Sequence, residues 1–278
     1  MKLFRKKYKP FPTPENTPGY TNKKVFDNFI TEASKILQDT RRSQTVDKTS
    51  IFVLLKHLTD LVTLETSFTA YDHSSTEFSD YLLQIFEVRN EHNAKKLFEE
   101  IYLNLELKDE DKKYYLGKFT SNTKYTPTLS TLPLVLFPWN YKRISSSIKY
   151  IANSNNPFSI EESNGNVINV YFYPLGIALC ERGNHSQLSA KLKGVGETSI
   201  ERIMNIEHVY DHVNYDGIYF YHIFSENEET NPYRFKAQNR TEFLAGIIFE
   251  IGRLLKNYPE LFPEEIKFAI NNKEKIKQ

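Results

Sequence analysis

The chain carries one cysteine, Cys180, in 278 residues, so no intrachain disulfide can form. Glycine and proline are scarce, at 10 and 12 residues, which argues against a loop-rich scaffold. No run approaches the ~18 uninterrupted apolar residues that a spanning helix needs. The opening stretch, MKLFRKKYKPFPTPENTPGY, is basic and has no apolar run of the signal-peptide kind. The expectation is a soluble, cytoplasmic protein without membrane contact. Net charge is also lacking: 36 Lys and Arg stand against 35 Asp and Glu, leaving +1. That balance excludes a protein that coats nucleic acid through a uniformly basic surface.

Aromatic residues are plentiful, with 20 Phe and 18 Tyr, and hydrophobic and charged contents of 40 % and 26 % sit near globular averages. The length suffices for one large core or two modest ones. The near-zero charge hides a local asymmetry. Between Lys112 and Ile160 there are Lys112, Lys113, Lys118, Lys124, Lys142, Arg143 and Lys149, and no acid. Acids gather elsewhere, notably between Glu197 and Glu229. The asymmetry reads either as two solvated faces of opposite sign or as a basic patch for phosphates.

Residues 1–20 hold four prolines and a cluster of Lys and Arg, and read as an extended basic arm. Helical spacing then predicts a helical domain over 21–125, with four helices between about Asn22 and Leu105. A short helix is expected in KDEDKKYYLGKF, before a Thr/Ser/Pro-rich connection where the domain boundary is placed. From 126 the periodicity changes. LPLVLF reads as a strand, RISSSIKYIAN as a short helix, and VINVYFY with GIALCE as a hairpin. A helix follows over Asn184–Leu192. The stretch TSIERIMNIEHVYDHV is taken as one long twisted strand and GIYFYHIF as another, before two C-terminal helices, the second opened by Pro263. The expected class is α+β.

Gly183-Asn184-His185-Ser186 forms the elbow between the hairpin and the next helix. Helix N-termini present unpaired N–H groups and partial positive charge, so they bind phosphate readily. Gly183 permits a tight turn, and Asn184, His185 and Ser186 can each reach a phosphate oxygen. The same four residues also read as an ordinary helix cap. In NIEHVYDHVNYDG, Glu207, His208, Asp211 and His212 have a spacing open to a metal or catalytic role, Glu207 and Asp211 ahead of the histidines, or to a solvated strand end. Trp139 and Tyr141 flank Lys142 and Arg143 and could stack a base, although core packing is the simpler use of Trp139. Cys180 reads as a buried packing residue.

The order of elements, together with NYKRISSSIKYIA, VINVYFYPLGIALCE and RGNHSQLSAKLKG, resembles the ParB/sulfiredoxin-like superfamily over about residues 130–225. It also looks like an uncharacterised bacterial family with Gly-Asn-His-Ser at this point. The superfamily includes partition proteins that bind a nucleoside triphosphate, sulfiredoxin, a free-serine kinase and some nucleases. The resemblance implies a ParB/sulfiredoxin-like mixed-sheet domain over 126–278, after the helical one. It also implies phosphate binding at Gly183–Ser186, with His185 as contact or acid/base. Ser186 stands where the superfamily usually has arginine, and a hydroxyl cannot replace a guanidinium fork. Arg143, or Lys142, is the expected substitute, with Arg182 and Lys191 as further cations. Asp211 or Glu207 would then hold Mg²⁺, with Glu207 also the candidate catalytic carboxylate, for nucleotide hydrolysis or phosphodiester cleavage. Partition, mobile-element or phage-defence roles follow by association only. The alternative is a non-catalytic DNA- or protein-interaction module with a degenerate site, the helical domain serving a protein partner.

Overall fold

A computed structural model describes residues 21–43, 45–72, 118–121, 125–159, 166–211, 213–222, 235–237 and 239–271. The basic arm and the third and fourth expected helices lie outside the described residues. So does most of KDEDKKYYLGKF.

Helix α1 (Lys23–Arg42) begins where the Asn22 side chain accepts from the Val25 N–H at 3.2 Å. It buries Phe26, Ala33 and Leu37 on one face. Helix α2 (Ser50–Asp72) buries Ile51, Leu55, Leu58 and Val62 at three- and four-residue intervals, the spacing of a single helix face. These rows pack against α5 (Arg240–Leu255) near the C-terminus. Helix α5 is apolar almost all round: Phe243, Leu244, Ile247, Ile248, Ile251 and Leu255 are buried. It also receives the Tyr215 ring and the Tyr210 hydroxyl, which lie where methyl groups on Gly246 and Gly252 would stand. A final helix, α6 (Glu264–Asn271), follows Pro263 and buries Ile266.

The main sheet has five strands in the order β1-β5-β3-β4-β2: β1 (Lys118–Ser121), β2 (Leu134–Val135), β3 (Ile168–Tyr173), β4 (Ile177–Arg182) and β5 (Arg202–Asn205). The hairpin β3–β4 is antiparallel at its centre, β5 joins β3 in parallel, β2 joins β4 in parallel, and β1 closes the far edge antiparallel to β5. Every residue of β3 from Asn169 to Tyr173 is buried, so both faces of the central strand are covered. Helix α3 (Tyr141–Tyr150) lies between β2 and β3 in sequence, and α4 (Asn184–Leu192) links β4 to β5; the two helices pack together. A second, antiparallel sheet joins β6 (Val213–Tyr215), β7 (Tyr219–His222) and β8 (Phe235–Lys236).

The chain is thus α+β, and one hydrophobic cluster runs through it from Phe26 to Ile266. Among the described residues α1 and α2 have no core apart from that of the sheet. Two local expectations change. Residues Lys118–Ser121 form an edge strand, not the end of a helix, because β5 supplies hydrogen-bond partners that no local pattern announces. The stretch 198–213 is not one strand. The Asn205 side chain accepts from the Glu207 N–H at 2.9 Å and turns the chain into a 3₁₀ turn over Glu207–Asp211. Ile200, Ile203, Ile206 and Val209 are all buried, but through a loop, a strand and a turn in succession.

Candidate functional site

The end of β4 leads into the elbow. Gly183 has φ +88, and a Cβ there would meet Val167 Cγ2 at 3.0 Å and the Asn166 carbonyl oxygen at 3.1 Å. Backbone conformation and space both select glycine. As the N-cap of α4 it has no side chain to offer, so the first turn has no side-chain cap. The Ser186 hydroxyl donates to the Gly183 carbonyl at 3.1 Å, and the Gln187 N–H donates to the same oxygen at 2.9 Å.

Asn184 does a different job from the one its sequence position suggests. Its Oδ1 accepts from the Phe137 N–H at 2.7 Å and its Nδ2 donates to the Cys180 carbonyl at 3.4 Å. Its amide is thereby committed to clamping the exit of β2 onto α4, so the expected phosphate contact of this side chain is not what the structure presents. Beneath the elbow lies a buried polar cluster. Gln187 Nε2 donates to Asn169 Oδ1 at 3.0 Å and to the Cys180 sulfur at 3.0 Å, while Asn169 Nδ2 and the Thr198 hydroxyl donate to Gln187 Oε1 at 3.2 and 2.6 Å. These bonds fix α4 against β3 and β4. Cys180 is buried within them.

His185, the second residue of α4, is only 8 % exposed. The Trp139 ring stands edge-on to its imidazole, centroids 4.4 Å apart at 72°. Arg143 Cζ lies 5.8 Å from the Trp139 ring centroid. Burial, then the Arg143 charge, push the His185 pKa down from 6.5 to about 4, with a hydrogen bond to the Asn140 backbone opposing them. The ring is therefore neutral at pH 7. Its Nε2 is buried without a hydrogen-bond partner among the described residues, an uncommon state for a buried polar atom.

The sequence-derived residues therefore separate into two groups. Gly183, Asn184, His185, Ser186 and Arg143 come together where α3 and α4 begin. Lys142, next to Arg143, has its ammonium 5.9 Å from the Tyr141 ring centroid. Lys191 does not point to the elbow as a free cation: its side chain is 6 % exposed, bonded to the Leu134 carbonyl at 2.6 Å and ion-paired with Asp60 at 2.7 Å. Glu207 and Asp211 belong elsewhere. Arg182 pairs with Ile168 at the start of β3, whereas Asn205 pairs with Tyr173 at its end. The elbow and the 3₁₀ turn thus lie at opposite ends of a six-residue strand, roughly 17 Å apart at the usual rise. Asp211 faces Lys256 at 3.6 Å, and Glu207 lies near the Tyr173 hydroxyl, whose pKa is raised by burial first and by that carboxylate second. The His208 side chain and His212 lie outside the described residues. Among the described residues no three His, Cys, Asp or Glu side chains gather as metal ligands. Trp139 is not a core residue, being 42 % exposed. Its contact with His185 is the feature of the site that sequence reasoning missed.

A family of unknown function, DUF6710, matches residues 13–261, nearly the whole chain, including the elbow and the aromatic-basic turn before α3. The chain belongs to DUF6710. No curated protein and no solved structure matches it. Among the described residues of this DUF6710 chain, no helix is long and apolar enough to cross a membrane.

Proposed function

We propose that this DUF6710 protein binds a phosphate-bearing ligand, a nucleotide or a nucleic-acid backbone, where α3 and α4 begin. One observation carries the reading: the uncapped first turn of α4 holds a buried imidazole whose Nε2 has no partner among the described residues, with the Arg143 guanidinium beside it. Amides at a helix start attract anions, and Arg143 supplies the formal charge that Ser186 cannot. A bound anion would satisfy Nε2 by favouring the protonated ring. The resemblance to the ParB/sulfiredoxin-like superfamily points to the same elbow.

Binding rather than hydrolysis is the function proposed. His185 has neither Glu207 nor Asp211 within reach, since both sit at the far end of the sheet. Mg²⁺, where it takes part, would accompany the phosphates of a nucleotide. This favours the non-catalytic alternative among the roles that the sequence leaves open.

The test is thermal unfolding with ATP, ADP, CTP and GTP, each with and without Mg²⁺, for the wild type, His185→Ala and Arg143→Gln. A ligand at about a hundred times its dissociation constant stabilises by ~2.7 kcal/mol, a rise of several degrees. The expected result is a rise for at least one nucleotide, reduced in both variants. No rise with any of them would overturn the free-nucleotide form of the proposal, and a rise retained in both variants would move the site away from the elbow.

A further inference from the structure

Next to the elbow, the start of α3 and the end of α2 expose aromatic rings, Tyr71, Trp139 and Tyr141 among them. Tyr71 is 55 % exposed, Trp139 42 % and Tyr141 39 %. Tyr71 and Tyr141 come from different helices, yet their rings lie 5.8 Å apart, and the Tyr71 hydroxyl sits 3.4 Å from the Ser145 hydroxyl. The rings are thus held by rigid elements, not displayed on a loop tip. Clustered, partly exposed aromatics are uncommon on a surface that binds nothing.

Cations accompany the rings. Arg143 lies over Trp139 and Lys142 by Tyr141. Helix α3 carries Lys142, Arg143 and Lys149 and no acid, and its first turn holds the first two. Positive side chains at the positive end of a helix repel its dipole. The cap of α3 does not involve them: Asn140 Oδ1 caps the helix by accepting from the Arg143 N–H at 3.1 Å. A polyanion would relieve this repulsion.

We propose that Tyr71, Tyr141 and Trp139 form a stacking platform for the bases of single-stranded nucleic acid, with Lys142 and Arg143 at its phosphates. Flat aromatic faces accept unpaired bases irrespective of sequence, and neighbouring cations follow the backbone. A duplex keeps its base faces stacked internally and cannot use the rings. The platform shares Arg143 with the elbow and rests on the phosphate reading at that residue alone. Its far end, Tyr71 and Tyr141, is independent of His185.

Fluorescence anisotropy with labelled oligo-dT and oligo-U of about 12 nucleotides, within usual single-strand site sizes, tests it, with a duplex of equal length as comparator. The proteins are the full chain, Tyr71→Ala, Tyr141→Ala and Tyr141→Phe. Single strands should bind at least tenfold more tightly than the duplex. Each alanine variant should lose about tenfold or more, while Tyr141→Phe, which keeps the ring, should stay within about twofold. Binding should weaken steeply between about 50 and about 200 mM salt. Tighter binding of oligo-U or of oligo-dT identifies RNA or DNA as the source.

Absence of single-strand binding, equal affinity for the duplex, or alanine variants that bind like wild type would overturn the platform. A nucleotide-induced thermal shift that persists in Tyr141→Ala, alongside any of those results, would leave the elbow standing without it. Oligonucleotide binding that needs Tyr141, with no nucleotide shift, would leave the platform standing without the elbow.

Discussion

At the scale of single residues, the state of His185 has a measurable cost. An exposed imidazole titrates near 6.5, and in the fold this one titrates near 4. Between those values the unfolded chain binds the extra proton and the folded chain does not. Stability contributed by the neutral, buried ring is present above the unfolded value and is lost as the solution is acidified through the window. The urea midpoint of the wild type should therefore fall between pH 6.5 and 4 more steeply than that of His185→Gln, which has no proton to gain. Equal slopes would mean that the ring titrates as if exposed. The sequence singles out His185 through its place after Gly183, but its burial could not be read there. Trp139, which covers it, lies far away along the chain, and an aromatic residue beside Lys and Arg reads equally as core or as surface.

Among the elements, the elbow depends on a joint between two strand exits. The Asn184 side chain bonds both the Phe137 N–H and the Cys180 carbonyl. Asn184→Ala would remove two buried hydrogen bonds at the joint, a loss of about 1–3 kcal/mol. Urea unfolding should show a lower midpoint with an unchanged slope, and Asn184→Asp, which keeps an acceptor for Phe137, should recover part of the loss. An alanine variant as stable as wild type would mean that the joint is not rigid. Elements whose signal is local were legible: β3, the tight hairpin turn, β4, α4 and α5 all follow from alternation or helical spacing. Elements whose signal is a partner were not. The four residues of β1 become a strand only beside β5, and Asn205 ends a strand that its β-branched neighbours would have continued. The motif at Gly183 was visible for the same local reason. The bonds of the Asn184 amide were not legible, because Phe137 precedes α3 in the chain whereas Asn184 follows it.

For the whole molecule, composition changes near residue 125, but the strands of the main sheet come from both sides of that point. The change does not mark a gap in the core, since Leu55, Leu58 and Val62 of α2 belong to the same cluster as Tyr171 and Phe172 of β3 and Ile247 and Ile251 of α5. Units that share a core open together. Hydrogen exchange should therefore give α2 amides from Leu55 to Val62 and β3 amides from Val170 to Phe172 the same opening free energy, equal to that of global unfolding. An α2 that exchanges at markedly lower energy would show two independent units. The shared core also sets where the exposed rings stand, because Tyr71 is carried by α2 and Tyr141 by α3, and these helices pack against each other.

Trp139 is the only tryptophan in the chain, and it lies between a guanidinium and an imidazole. Excitation at the red edge, where tyrosine does not absorb, therefore illuminates this one spot out of 278 residues. The protein carries its own optical probe at the elbow, and events there can be timed in unlabelled material.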